Sequence, residues 1–147
     1  MNPFAPKIEN DLPDNSDLFS DLSNVEGIFQ NLTNAYSFKD TTIYGKVLDN
    51  DFTFVYRDYD NGVDVSWGRE EEMNVTYGLF LNSESLILSW NEIVFISSDS
   101  TSVIRSFNLS ITFNPTDIIF IDGKVNLSLA KNDGKWKILR WIDESNF

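Results

Sequence analysis

The spacing of apolar positions along the chain alternates between a helical and a strand period. From Val25 onward, Ile28, Phe29, Leu32, Ala35 and Tyr36 recur three and four residues apart, the stripe of an amphipathic helix. Ser23 and Glu26 have capping-box spacing, with the hydroxyl placed to accept a first-turn amide and the carboxylate to reach back. Gly27 costs this helix some propensity, which the stripe outweighs. Asp40 is placed to cap a second, short helix with Ile43, Tyr44, Val47 and Leu48 on its buried side, and Asp49-Asn50-Asp51 stops it.

The period then falls to two. Phe52 to Tyr56 reads as a strand, Asp60-Asn61-Gly62 as a tight turn, and Val63, Val65 and Trp67 as the returning strand of a hairpin. Arg69-Glu70-Glu71-Glu72 opens a third helix, since acids in the first turn suit the positive end of its dipole. Its expected inner stripe is Met73, Thr76, Tyr77 and Phe80, with Arg69 and Glu72 on or near the same face. After Ser85 everything reads as β. Leu86, Leu88 and Trp90 alternate, and Ile93-Val94-Phe95-Ile96 continues that strand or starts the next. Val103, Arg105, Phe107, Leu109, Ile111 and Phe113 form a long alternating set that Asn114-Pro115 interrupts, because proline has no amide donor. Val125, Leu127 and Leu129 alternate again before Asn132-Asp133-Gly134 turns into the last strand. Between them, residues 114–124 do not declare a register, and a bulge or short hairpin is expected near Gly123.

Ahead of the first helix, Pro3, Pro6 and Pro13 lie among Asn and Asp without periodicity. Residues 1–20 therefore read as an extended tail or linker, and 21–147 as one α+β domain. A chain of 147 residues can bury one core but hardly two, and 41% hydrophobic with 14% aromatic residues is a globular composition. Lys and Arg number 11 against 23 Asp and Glu, a formal charge of −12 that argues against nucleic acid and anionic lipid as partners. No apolar run approaches the roughly 20 residues of a membrane span, so no membrane insertion is expected.

Cysteine and histidine are both absent. That removes disulfides, thiolate nucleophiles, Ser-His-Asp catalysis and imidazole metal sites, and leaves acid–base work to carboxylates, Tyr or Lys. No metal or cofactor is expected. Asp58-x-Asp60-x-Gly62-x-Asp64 has calcium-loop spacing but lacks the twelfth-position Glu and an entering helix, so it reads as a hairpin loop. Sequons at Asn31, Asn74, Asn108 and Asn126 fall inside predicted elements, where chance in an Asn-rich chain explains them.

The element order resembles the nuclear transport factor 2-like, or SnoaL-like, superfamily. The likeness rests on Asn31-Leu32-Thr33-Asn34-Ala35-Tyr36 with Asp40, on Asp51-Phe52-Thr53-Phe54, and on Trp67-Gly68-Arg69-Glu70-Glu71-Glu72. It closes on Gly123-Lys124-Val125 and on Gly134-Lys135-Trp136-Lys137-Ile138 with Arg140-Trp141-Ile142-Asp143. It implies a cone: a strongly bent mixed or antiparallel sheet, with three helices closing a pocket on the concave face. It further implies a small free-standing bacterial protein that forms a homodimer through the outer sheet face. The expected location is the cell envelope if a signal preceded Met1, and the cytoplasm otherwise. Because the superfamily hosts enzymes, binders and dimerisation modules, the resemblance reaches the fold and not the reaction.

Two arginines share faces with core residues. Arg105 alternates with Val103, Phe107 and Leu109, and Arg140 with Trp136 and Ile138. A guanidinium so placed needs a carboxylate, carbonyls or an anionic ligand. In one reading both arginines tie helix to sheet through Glu72, with Glu71 and Asp143 in reserve. In the other they line a pocket for an anionic or carbonyl-bearing molecule, together with Glu72, Tyr36, Tyr77, Phe107 and Trp136, and with Tyr44 in reach from its helix. Trp141 and Leu139 fall on the opposite, outward set and are candidates for the dimer face.

The aspartate base and Tyr/Asp oxyanion hole of ketosteroid isomerase-type relatives, a set known from that enzyme, have no residue-by-residue match here. Dehydratase and polyketide-cyclase relatives depend on a histidine that this chain lacks. The expectation is a non-catalytic domain that binds a small molecule or another protein. The alternative is a carboxylate-based isomerase, lyase or hydrolase, with Glu72 or Asp143 near Arg105 and Arg140.

Overall fold

A computed structural model describes residues 19–146, with side chains through Glu144. The tail expected over residues 1–20 lies outside the described residues except for Phe19 and Ser20. Phe19 packs on the core, and the Ser20 backbone exchanges two hydrogen bonds with the fully buried side chain of Asn31.

Helix α1 (Val25–Phe38) is capped by Asn24, whose Oδ1 accepts the Gly27 amide at 2.9 Å. The expected Ser23 cap is displaced by one residue, because Ser23 Oγ donates to Asp21 instead. Gly27 is a requirement here and not only a cost: a Cβ on it would stand 1.9 Å from the Asp21 carbonyl oxygen. Lys39, at φ 52°, ends the helix in the left-handed region. Asp40 then caps α2 (Thr41–Val47) through the amides of Thr42 and Ile43, and Leu48 opens β1 (Leu48–Asp58) without a linker.

β1 pairs with β2 (Val63–Gly68) across a turn in which Asp58 accepts from both the backbone and the side chain of Asn61. Helix α3 (Arg69–Asn82) follows, then β3 (Ser85–Ile96), β4 (Ser102–Asn114), β5 (Asp117–Asn132) and β6 (Lys135–Asn146). The six strands form one curved sheet in the order β2-β1-β6-β5-β4-β3, antiparallel throughout except for the parallel pair β1–β6. α1 crosses one face beside α2, burying Ile28, Phe29 and Leu32 completely against Val103, Leu127 and Ile138. Each such side chain stabilises the fold by about 1.5–3 kcal/mol.

Irregularities in β3 and β6 decide what faces inward. The Ile93–Ile96 run belongs to β3, which slips twice against β4 between Trp90 and Phe95. β5 runs unbroken through the stretch whose register the sequence left open. Gly123 sits opposite Phe107 and does not take the left-handed conformation, so the bulge or hairpin expected there is absent. The bulge lies in β6 instead. Leu129 pairs with Ile138 and Ser128 with Arg140, which leaves Leu139 as an extra residue and inverts the alternation beyond it.

Candidate functional site

The helices and the curved sheet enclose a cavity of about 300 Å³ to which every element contributes. Phe54 and Tyr56 of β1, Trp67 of β2 and Trp141 of β6 form one wall. Leu88, Trp90, Phe107, Leu109, Ile121 and Val125 form the opposite one, and α1, α2 and α3 close the space with Tyr36, Tyr44 and the side chains around Thr76. The walls are aromatic and aliphatic, and the charged groups on them are two carboxylates, Glu72 and Asp143.

Glu72 is only 6% exposed, on the inner face of α3. Its Oε1 accepts from Trp67 Nε1 at 2.6 Å, and its Oε2 from the Tyr44 hydroxyl at 2.5 Å and from Thr76 Oγ1 at 3.4 Å. Three neutral donors from β2, α2 and α3 thus hold one carboxylate, which satisfies it without a cation. Burial first, and then the negative charge of Glu72, push the Tyr44 hydroxyl well above the usual tyrosine range, so it stays a donor. Tyr36 is also raised, by burial first and then by Glu72 and Asp143.

Of the residues expected in the pocket, Tyr36, Glu72 and Phe107 line the cavity, and Tyr44 reaches it from α2. Four others do not. Arg105 does lie on the inner face, beyond Phe107 and toward the start of α1, with 14% of its side chain exposed. Its partner is Glu26 at 3.0 Å and not Glu72, and its guanidinium stacks 4.7 Å from the Phe29 ring centroid. Nε donates at 2.7 Å to the Asn91 carbonyl, in the first irregularity of β3. Arg105 therefore ties α1 to the sheet.

Arg140 is exposed on the outer face, and Trp141 is buried in the cavity wall. This reverses both expectations, and the Leu139 bulge is the cause: strict alternation from Trp136 gives the wrong parity beyond it. Leu139 itself is 37% exposed. Tyr77 is 58% exposed, because the buried stripe of α3 runs through Glu72, Thr76 and Phe80 and turns Tyr77 to solvent. Trp136 is buried away from the cavity, with its backbone amide bonded to the Leu22 carbonyl and the Lys131 ammonium over its ring.

The hairpin aromatics Phe54, Tyr56 and Trp67 were missed as cavity residues. Their signal was present: Phe54 pairs directly with Trp67, and Tyr56 shares the same face. The Asp58-to-Asp64 segment is the turn of the β1–β2 hairpin, with Asp58 and Asp64 in its strands. Among the described residues no cluster of potential ligands could hold a metal ion. Nor is any described helix long and apolar enough to cross a membrane.

No family model matches the sequence, and no curated protein is similar to it in sequence. Solved structures are similar in fold. The protein Kfla4162 of Kribbella flavida superposes with a TM-score of 0.72 at 10% identity, over 86% of this chain and 91% of its own. A candidate scytalone dehydratase from Novosphingobium aromaticivorans gives 0.71 at 13% identity, over 84% and 82%. A Catenulispora acidiphila protein with a ketosteroid isomerase-like fold, solved with trimethylamine, gives 0.59 at 12% identity, over 82% and 84%. Others of similar shape, from Shewanella and Exiguobacterium, are described as nuclear transport factor 2-like. Identities this low speak for shape alone. With three helices lying on one face of a curved six-stranded mixed sheet, this chain has the nuclear transport factor 2-like α+β cone fold.

Proposed function

We propose that this domain binds a small, largely apolar molecule in the cone cavity and performs no chemistry on it. The observation that carries this reading is Glu72. It is the carboxylate best placed for catalysis by burial, yet three donors already occupy its oxygens. A general base must reach the proton it removes, and a carboxylate used to pin two helices to a hairpin is poorly placed for that. The surrounding aromatic walls suit burial of an apolar body.

The cavity contains its own reporters, because Trp67, Trp90 and Trp141 line it. Titration with small apolar compounds should change their emission. Leu109→Trp, which fills the cavity from β4, should weaken any such ligand about tenfold or more while the fold persists. Unchanged affinity in that variant would place the binding elsewhere. The rival reading has one observation on its side: Tyr36 and Asp143 face the same space. Catalysis there would show as turnover that Tyr36→Phe abolishes.

We also infer that two copies associate through the outer sheet face. Ile87 and Phe120 both pair with Ser110, so they lie in one row across β3, β4 and β5, at 59% and 75% exposure. Ile118, 46% exposed, adds to this row from two residues along β5. An apolar outer row of this kind favours a covered face. Trp141 takes no part in it, and Leu139 lies far along the sheet from Phe120.

A further inference from the structure

The cavity is chemically lopsided. At one end Phe54 pairs across the sheet with Trp67 on one side and Trp141 on the other, and Tyr56 pairs with Asp143. The rings of Phe54 and Trp67 stack at 5.0 Å between centroids, Tyr56 stands 5.6 Å from Trp67, and Trp141 stands 6.2 Å from Phe54. Both cavity carboxylates belong to this end. Glu72 is hydrogen-bonded to Trp67, and Asp143 follows Trp141 by two residues on the same face of β6. The other end, around Leu88, Phe107, Leu109 and Ile121, is apolar.

A charge and a set of π faces of this kind select by sign. An anion entering the cavity meets two carboxylates and no lysine or arginine among the lining residues. A cation is attracted by those charges and by the negative faces of the rings. The donors around Glu72 are neutral, so they satisfy its hydrogen bonding and leave its charge uncancelled. We propose that the ligand of this cavity is an amphiphilic amine. Its quaternary or protonated nitrogen sits among Phe54, Tyr56, Trp67 and Trp141 beside Glu72 and Asp143, and its apolar body extends toward Leu109 and Phe107. The raised hydroxyl of Tyr36 is consistent with the same negative field, since both carboxylates contribute to it after burial.

This inference rests on the reading of the cavity as a binding site, and a matched ligand series separates the two. Phenethyl-trimethylammonium, its neutral carbon isostere and 4-phenylbutyrate are titrated against the whole chain by calorimetry and tryptophan emission. The ammonium compound should bind about tenfold or more tighter than the neutral isostere, an advantage of at least about 1.4 kcal/mol, and the carboxylate should bind weakest. Asp143→Asn should shrink the gap between ammonium and isostere several-fold and leave the isostere's own affinity nearly unchanged. Equal or tighter binding of the neutral isostere or the carboxylate would overturn the amine assignment while leaving the cavity a binding site. A folded Asp143→Asn that keeps the full preference would overturn the assignment too. Should that variant not fold, the wild-type comparison decides alone. Binding of none of the three would remove the binding-site reading together with this one.

Discussion

At the scale of the residue, Glu72 and Arg105 both sit inward, as their positions in the sequence suggested, but each has other partners than expected. In one of the two readings of the sequence each satisfies the other, and in the second both line a ligand pocket. In the folded chain Glu72 is held by tyrosine, tryptophan and threonine, and Arg105 by a helix-terminal glutamate and a phenylalanine face. The presence of both charges on inward positions was legible, because alternation and helical spacing are local. Which charge meets which donor was not, since Tyr44 and Glu72 lie 28 residues apart and meet only when α2 folds against α3. The tyrosines also carry a pH signature. Unfolded tyrosine ionises near 10.0, whereas buried Tyr44 holds its proton well above that. Above that pH the unfolded chain therefore sheds a proton that the native chain keeps, so stability falls as pH rises, by up to about 1.4 kcal/mol per pH unit for this group. Urea unfolding between pH 9 and 11.5 should show that slope, and Tyr44→Phe should flatten it whatever the variant's baseline. An identical slope in the variant would assign the alkaline loss to other groups.

Among the elements, β6 is the one whose reading depended on something that alternation cannot show. Its residue identities declare a strand, and Trp136 and Ile138 do point inward. The extra residue at Leu139 exists only relative to the partner β5, because a bulge is a mismatch between two strands and not a property of one. Removing that residue makes a sharp test. Deleting Leu139 should leave a regular ladder in which Arg140 still faces out and Trp141 still faces the cavity wall, because Ile138 and Arg140 already pair with the adjacent residues Leu129 and Ser128. Turning Trp141 out instead would cost about 3–5 kcal/mol, before the cost of burying a guanidinium without a partner. Urea unfolding of the deletion variant should therefore show a loss well below that size. A loss as large as that would mean that Leu139 is not the extra residue and that the parity of β6 is set elsewhere. β5 shows the opposite case. Its glycine and polar residues near 118–124 obscured a strand that pairing with β4 keeps in unbroken register.

For the whole molecule, the single layer of helices leaves the other sheet face with nothing from the described residues on it. The row of Ile87 and Phe120 on that face is where copies should meet. Sedimentation of the wild type should give a dimer, and Phe120→Asp should give a folded monomer. A monomeric wild type at micromolar concentration would end the dimer proposal. The order of helices and strands, the hairpin, the cap at Asp40, the turn at Gly134 and most of the inward-facing set came from the sequence alone, because they follow from periods and turn chemistry within a few residues. Tertiary structure alone decided the parity of β6, the partner of each buried charge and the enclosure of Trp67, Phe54 and Trp141 with two carboxylates. Those depend on how strands distant in sequence come into register, and no single strand carries that information.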